Sequence, residues 1–330
     1  MKKILEVYNL ETSFFTKYET IRAVQDVSFF VNEGETFGLV GESGCGKSVL
    51  CRSILRLVRD PGKITNGTIL YKDQDILKLT DNEMINLRGK EIGMIFQEPM
   101  TALNPVLSIK EQIYESFKED NLSNSEKHKR AVELLTLVGI PSAEQRLKEY
   151  PHQFSGGMRQ RAMIAIALAS RPKLLLADEP TTALDVTIQD QIIKLINRLK
   201  KELNMSIIIV THDLGVVAEM CDRVAVMYAG KIMETTDTLT LFSQPKHPYT
   251  IGLINSIPHN ASAEDKLVSI EGNPPNLSDL PKGCPFYPRC SYRENICNEE
   301  MPELININDH HSSRCHFIDK LKYAKGLIEI

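Results

Sequence analysis

Four short apolar runs constrain the fold of this chain more than any other feature. They are Phe37 to Val40, Ile92 to Phe96, Leu174 to Ala177 and Ile207 to Val210. Polar or glycine residues follow each run, and helical segments separate the runs. Continuous apolar runs of this length are typical of strands that are buried on both faces of a parallel sheet. Because strands and helices alternate, we predict an α/β fold with helices on both faces of a mostly parallel sheet.

The remaining segments have different patterns. The first 35 residues alternate, with Val27, Phe29 and Val31 on one face, which predicts a small antiparallel sheet. From Ser108 to Val138 the chain is rich in helix-forming residues, so we expect a helical insertion. Prolines accumulate from Pro245 to Pro302, and we expect a loosely structured C-terminal extension there.

The composition is that of an ordinary globular protein. The chain has 330 residues and a formal net charge of -4, without the basic surplus that nucleic-acid binding requires, so we expect no nucleic-acid partner. The most apolar segment, Ala162 to Ala169, is far shorter than the roughly 20 residues that cross a bilayer. No signal-peptide core follows the first lysines. We therefore expect a cytoplasmic chain whose contact with a membrane is peripheral.

A glycine-rich segment, GESGCGKS, follows the first apolar run and precedes a helical pattern. Its backbone N–H groups and the helix start form a site for phosphate. Lys47 is predicted to reach the β- and γ-phosphates of ATP and Ser48 to hold Mg²⁺. A glycine-rich turn without a ligand would not explain the lysine and the hydroxyl at these offsets. The predicted ATP-binding residues of this loop are Gly41, Glu42, Ser43, Gly44, Cys45, Gly46, Lys47, Ser48 and Val49.

Two carboxylates, Asp178 and Glu179, follow the third apolar run. Asp178 is predicted to hold the magnesium shell, and Glu179 to orient and deprotonate the attacking water. An acid pair in this place can also cap a helix.

A second motif, Ser155-Gly156-Gly157-Met158, opens a helical run. A capped helix start with exposed glycine N–H groups has two interpretations: a second anion site or a plain capped helix.

The order of these motifs carries a resemblance. GESGCGKS, Gln97, FSGGMRQR, LLLADEP, the triplet Ala183-Leu184-Asp185 and His212 follow one another in the sequence. Over roughly residues 4 to 255, the chain resembles the nucleotide-binding domain of the ABC transporter superfamily. The resemblance implies a P-loop NTPase that binds ATP and Mg²⁺ and pairs head to tail with a second ATPase subunit, a homologous partner or itself. The residues that then face the partner's nucleotide are Ser155, Gly156, Gly157, Met158 and Asp185.

The same resemblance implies roles for individual side chains. Gln97 senses the region of the magnesium and the γ-phosphate, and with Ser48 and Asp178 forms the predicted Mg²⁺ site. His212 contacts the γ-phosphate and holds the water together with Glu179, so these two are the predicted catalytic residues.

An aromatic residue near the N-terminus usually stacks on adenine in this family. Its spacing from Ala23 makes Phe14 the candidate, with Phe15 and Tyr18 as neighbouring alternatives. A half-buried core aromatic is the other interpretation of Phe14.

The resemblance also predicts the domain organisation. Residues 1–97 and 155–235 form a RecA-like ATPase core with the antiparallel β subdomain. Residues 98–154 form the helical subdomain, and residues 236–330 form the C-terminal extension.

Three stretches indicate the branch of the family: IFQEPMTALNP at 95–105, HPYTIGLINSIP at 247–258 and GCPFYPRC at 283–290. They resemble the dipeptide and oligopeptide importer ATPases, specifically the first of their two unlike ATPase subunits. Nickel importers share most of these features and stay an alternative. The resemblance implies two transmembrane permease subunits, with the insertion around Glu98 to Tyr114 as their docking surface, and an extracytoplasmic substrate-binding protein.

Four cysteines, Cys284, Cys290, Cys297 and Cys315, lie in the extension with five, six and seventeen residues between them. In a reducing compartment such a cluster indicates metal ligation before disulfides. A zinc ribbon would contain ligand pairs two residues apart, whereas a 4Fe-4S cluster tolerates irregular spacing. The resemblance favours a 4Fe-4S cluster, with Zn²⁺ or unligated thiols as alternatives.

Two other functions compete with an importer ATPase. A non-transport ABC ATPase of DNA repair would carry very long coiled-coil insertions, whereas 106 residues separate Ser48 from Ser155. Translation ATPases of the superfamily usually have two tandem cassettes. A switch that binds ATP without useful hydrolysis would not need Glu179 and His212.

Overall fold

The computed structural model describes residues 2–117, 122–182, 184–257 and 270–321. The chain forms two compact units. The first unit comprises Met1–Lys2, Asn32–Gly34 and Lys78–Ile209, and the second unit comprises Lys3–Val31, Glu35–Leu77 and Val210–Ile330. The predicted division into a core, a helical subdomain and an extension follows other boundaries and stays a prediction.

Strands and helices alternate along the chain. The strands are β1 (Lys3–Phe15), β2 (Thr20–Asn32), β3 (Thr36–Val40), β4 (Gly62–Tyr71), β5 (Gln74–Asp75), β6 (Ile92–Ile95), β7 (Leu174–Asp178), β8 (Ser206–Thr211), β9 (Arg223–Tyr228), β10 (Lys231–Asp237), β11 (Ile305–Asn308) and β12 (His311–Ser313). The helices are α1 (Lys47–Ile54), α2 (Asp81–Lys90), α3 (Pro99–Ala102), α4 (Ile109–Glu115), α5 (Asn124–Leu137), α6 (Ala143–Arg146), α7 (Gly156–Leu168), α8 (Val186–Leu203), α9 (Leu214–Met220), α10 (Thr238–Ser243), α11 (Pro248–Asn255) and α12 (Asn295–Glu299).

An antiparallel sheet of order β2-β1-β4-β5 begins the second unit. Strand β1 pairs antiparallel with β4, with Leu5 opposite Tyr71. Val27, Phe29 and Val31 of β2 are buried, so one face of that strand packs in the core and the residues between them are more exposed. The predicted antiparallel N-terminal sheet is therefore confirmed, and its cause is the two-residue period of the apolar side chains.

Strands β11-β12-β10-β9-β3 also lie in the second unit. Strand β3 pairs parallel with β9, whereas β10 pairs antiparallel with both β9 and β12. Two strands of this row, β11 and β12, come from the C-terminal extension, which is thus more ordered than the proline density predicted. Both are short: β11 alternates isoleucine and asparagine but is exposed, and β12 is His-Ser-Ser. Backbone pairing holds them in place, because β12 pairs with β10 and β11 pairs with β12.

A buried hydrogen-bonded pair of side chains connects β12 to β10. His311 Nε2 lies 2.8 Å from Glu234 Oε1, and both side chains are buried. The Lys246 backbone N–H donates to the same carboxylate oxygen at 2.6 Å. His311 is therefore a structural partner inside the fold. Removing one partner of such a pair leaves a buried polar group unsatisfied, which is costly.

The first unit contains strands β6 and β7, residues 206–209 of strand β8 and the helices around them. Strand β6 pairs parallel with β7, with Ile92 opposite Leu174, and every residue of both strands is buried. These are two of the four apolar runs, so complete burial explains their continuous apolar character. Helix α8 buries the face that includes Ile192, Leu195, Ile196 and Leu199.

Between Pro99 and Pro151, the described residues form helices α3 to α6, as expected of the helical insertion. Capping boxes begin two of them: Ser108 with Glu111 at α4, and Ser123 with Glu126 at α5. Each box satisfies backbone N–H groups that the first turn of a helix leaves without partners.

Among the described residues, no helix has both the length and the apolar character that crossing a membrane requires.

Candidate functional site

The glycine-rich segment Gly41–Ser48, here called the phosphate loop, connects strand β3 to helix α1 in the second unit. Gly46 precedes the helix with φ of 104°, and a Cβ atom at this position would lie 2.1 Å from the Ala23 carbonyl oxygen. Only glycine fits such a contact in this backbone conformation. The loop therefore takes its curl from its glycines, and α1 begins directly behind it, which places the helix N-terminus at the loop.

Lys47 is buried within the phosphate loop. Its Nζ donates to the carbonyl oxygens of Gly41 at 2.6 Å and Glu42 at 2.9 Å. The ammonium thus lies among the backbone groups that were predicted to surround phosphate. Burial raises the pKa of the neighbouring Cys45 thiol, so Cys45 is neutral at pH 7 and packs in the loop rather than reacting.

The predicted magnesium ligand Asp178 and the predicted general base Glu179 follow one another at the end of β7 in the first unit. Asp178 is the last residue of the strand, and Glu179 follows in the left-handed region with φ of 45°. Gln97 Nε2 donates to Glu179 Oε2 at 3.1 Å, and Thr182 Oγ1 donates to the same oxygen at 2.8 Å. The structure thus brings Gln97 and Glu179 together. Sequence analysis missed Thr182, which lies three residues from Glu179 but carried no motif of its own.

The predicted second anion site is a capped helix start. The Met158 N–H donates to Ser155 Oγ at 3.3 Å, which makes Ser155 the N-cap of α7.

Gly157 lies against helix α8, because a Cβ atom there would be 3.1 Å from Ile188 Cγ2. Asp185 caps α8 by accepting from the Ile188 N–H at 2.9 Å. Glycine at position 157 therefore lets the starts of two helices approach closely, and Asp185 has a local structural role beside its predicted one. Gly156 belongs to the same helix start, whereas Ala183 lies outside the described residues.

Comparison with known proteins agrees with this arrangement. The family model "ABC transporter" matches residues 24–182, and the model "Oligopeptide/dipeptide transporter, C-terminal region" matches residues 233–297. The dipeptide transport ATP-binding protein DppD of Bacillus subtilis is 49% identical over 97% of this chain and 96% of its own length. The oligopeptide transport ATP-binding protein OppD of Salmonella typhimurium is 50% identical over 91% of this chain and 89% of its own length. The chain belongs to the ABC transporter family of ATP-binding subunits. It is an ATPase of the ATP-binding cassette type.

Solved structures support the same family and fold. A dimeric bacterial ABC transporter cassette has a TM-score of 0.64 and 30% identity, covering 71% of this chain and 98% of its own. A dimeric ATP-binding cassette in a post-hydrolysis state, bound to ADP and Pi, has a TM-score of 0.63 and 29% identity over 71% of this chain and 98% of its own. The predicted α/β P-loop fold with an antiparallel N-terminal sheet is thus confirmed.

Two further predicted residues of the cassette lie in the second unit. His212 follows strand β8 and is exposed, and the next residue, Asp213, caps helix α9 by accepting from the Gly215 N–H at 2.7 Å. Phe14 pairs with Gly62 across β1 and β4 and is half-buried against it, since a Cβ at position 62 would lie 2.6 Å from Phe14 Cε1. Tyr18, the alternative aromatic, is 90% exposed. The roles of His212 and Phe14 toward ATP stay predictions.

The four cysteines of the C-terminal extension come together in the fold. Cys284, Cys290, Cys297 and Cys315 line one cavity, whose wall also includes His247. Burial raises the pKa of Cys284 to about 12 and that of Cys315 to about 11. The charges of the other cysteines add to both shifts. Within the described ranges, no group of three or more His, Cys, Asp or Glu side chains is arranged to hold a metal ion. The predicted 4Fe-4S cluster therefore stays a prediction.

Proposed function

We propose that this chain powers the uptake of dipeptides or oligopeptides through partner membrane subunits. One observation carries the proposal: 49% identity, over nearly the whole of both chains, to a protein named for dipeptide transport. The match of residues 233–297 to the C-terminal region of oligopeptide and dipeptide transporters supports it. Nickel import and a non-transport ABC ATPase are the alternatives.

ATP hydrolysis in this proposal uses the side chains predicted from the sequence. The phosphate loop and Lys47 would bind the phosphates, and Ser48, Gln97 and Asp178 are the residues predicted to hold Mg²⁺. Hard oxygen ligands of this kind suit Mg²⁺. Glu179 is the general base, and the hydrogen bonds from Gln97 and Thr182 support this role because they orient its carboxylate. His212 assists at the γ-phosphate.

Two ATPase subunits would pair head to tail, so that the Ser155 helix start of one chain closes over the nucleotide of the other. The dimeric state of both solved cassettes supports this pairing. The capped start of α7 supports it as well, since its exposed N–H groups can face an anion. ATP then binds the closed dimer better than the open one, which is the condition for driving a change of shape.

The membrane partners would be two permease subunits, and an extracytoplasmic binding protein would deliver the substrate to them. We place the permease contact on the segment Glu98 to Tyr114, which makes the chain peripheral to the membrane. Met100 and Val106 of this segment are 57% and 76% exposed. Exposed large apolar side chains of this kind are typical of a surface that a partner covers.

Substrate uptake tests the proposed function directly. Cells that lack the gene are expected to lose most of their uptake of a labelled di- or tetrapeptide, and the wild-type gene should restore it. Uptake of radioactive nickel, measured in the same cells, is the control and should not change. Loss of nickel uptake with normal peptide uptake would support the nickel importer instead, and no change in either would contradict both.

We propose further that the four cysteines of the extension hold a 4Fe-4S cluster. Their common cavity supports this, because four thiols around one site are the donor set that such clusters use. Burial raises the pKa of Cys284 and Cys315, so these two thiols would lose their protons on ligation. ATP hydrolysis involves no electron transfer, so the cluster would have a structural or sensing role.

Anaerobic purification tests the cluster. The full chain is expected to absorb at about 400 nm and to contain about four iron and four sulfide per chain. Cys297→Ala should lose both the absorption and the iron, since it removes one of the four thiolates. Cys221→Ala is the matched control, because Cys221 is also buried but lies outside the extension's four cysteines, and it should keep both. A colourless protein with one zinc, or no metal, would contradict the proposal.

A further inference from the structure

A buried arginine of the C-terminal extension binds the phosphate loop. Arg289 Nη1 lies 2.6 Å from Glu42 Oε2, and Arg289 Nη2 lies 2.9 Å from Glu42 Oε1. The two residues are 247 positions apart in the sequence, and the arginine side chain is only 6% exposed. A bidentate pair of this kind is both strong and directional. It therefore holds the Glu42 carboxylate in one orientation.

The same guanidinium also holds a second segment against the loop. Arg289 donates to the carbonyl oxygens of Glu271 at 2.9 Å and Gly272 at 3.3 Å. Pro274 and Pro275, which follow, line a cavity together with residues 42–45 of the phosphate loop. Arg289 thus connects the loop to a stretch of the extension that passes beside it.

Glu42 is fixed at its backbone as well. Its N–H donates to Tyr249 Oη at 2.8 Å, and its carbonyl oxygen accepts from Lys47 Nζ at 2.9 Å. Tyr249 lies in α11, so two attachments of Glu42 come from residues after β10. With the side chain held by Arg289, every polar group of this loop residue has a partner. A loop fixed in this way is preorganised for its ligand and loses less entropy on binding.

The charge of Glu42 gives the pair a second effect. A carboxylate in a loop that receives phosphates repels them unless a cation compensates its charge. Arg289 supplies that cation from outside the loop. The arginine therefore acts on the loop in two ways, through its shape and through its charge.

We propose that Arg289 is a positioning residue of the ATP site, which holds the phosphate loop through Glu42 and neutralises its carboxylate. This inference rests on the proposed role of the phosphate loop in binding ATP. It assigns to the extension a function in nucleotide binding.

Because Arg289 both fixes the loop and neutralises the Glu42 carboxylate, three variants of the full chain should differ in nucleotide affinity in a defined order. Arg289→Gln leaves an unpaired carboxylate in the loop and should raise the Kd for ADP and the KM for ATP by about ten-fold. Glu42→Gln loses the clamp but also the negative charge, and should raise both by only about three-fold. The double variant should resemble Glu42→Gln, because the arginine then has no carboxylate left to compensate. The kcat should change by less than about two-fold in all three.

Calorimetry with ADP and steady-state hydrolysis of ATP measure these constants. Arg293→Gln is the matched control, since Arg293 is an exposed arginine of the same extension that binds a backbone carbonyl, and it should behave as wild type. Thermal unfolding identifies variants that fail to fold, and Arg289→Lys then serves as the milder substitution, with an intermediate Kd. Additive effects in the double variant, or an unchanged Kd in Arg289→Gln, would overturn the inference. A wild-type chain that binds no ADP would instead contradict the proposed function.

Discussion

Glu179→Gln is expected to lower the rate of ATP hydrolysis by about 10²–10⁴, the usual contribution of a general base, while ATP still binds. The amide has nearly the shape of the carboxylate and can still accept a hydrogen bond from Thr182, so the local structure should survive. It has no basicity, however, and cannot take a proton from the attacking water. The defect should therefore appear in kcat and not in nucleotide affinity.

Phosphate release by the assembled transporter, together with ADP calorimetry, measures the two quantities separately. Glu202→Gln is the control, because Glu202 is an exposed acid of helix α8 that pairs with Arg198 at 3.8 Å. It should hydrolyse ATP at the wild-type rate. A normal rate in Glu179→Gln would remove Glu179 from the role of base, and a loss of ADP binding would assign it to nucleotide binding.

Lys47→Met is expected to weaken ADP binding by about 10- to 100-fold, because a hydrogen bond to a charged group contributes about 1.5–3 kcal/mol and the lysine is predicted to reach the β-phosphate, which ADP retains. Methionine keeps most of the buried apolar stem, so packing within the loop should change little. ATP hydrolysis should fall in parallel with binding. Calorimetry with ADP checks the affinity, and thermal unfolding checks the fold.

Lys63→Ala serves as the control for this substitution. Lys63 is an exposed lysine of strand β4 in the same compact unit, so its removal changes the net charge equally without touching the loop. Wild-type affinity is expected. If Lys47→Met and Lys63→Ala bound ADP equally well, the ammonium of Lys47 would not be a phosphate ligand.

Local patterns in the sequence were sufficient for most of the ATPase. The strand before Gly41, the capped helix at Ser155 and the strand that ends at Asp178 all form where their patterns predicted. In each case the cause lies within a few residues: an apolar run that needs burial, a hydroxyl that caps a helix, or a glycine that permits a left-handed turn. Interactions of such short range are readable from a single sequence.

Contacts between distant segments were not readable in this way. No spacing rule connects Arg289 with Glu42, or Glu234 with His311, because each pair meets only after the C-terminal extension packs on the rest of the second unit. The extension was expected to be loose because of its many prolines, yet β12 pairs with the edge of β10 through backbone hydrogen bonds.

The amino-acid sequence by itself therefore determined the α/β class, the phosphate loop and the positions of the acids that follow β7. These depend on side-chain periodicity and on the conformational freedom of individual residues. Only the tertiary structure decided that four cysteines share a cavity and that Arg289 holds the loop. Both arrangements join residues far apart in sequence, and for Arg289 the physical reason is that a buried charged group must find partners inside the fold.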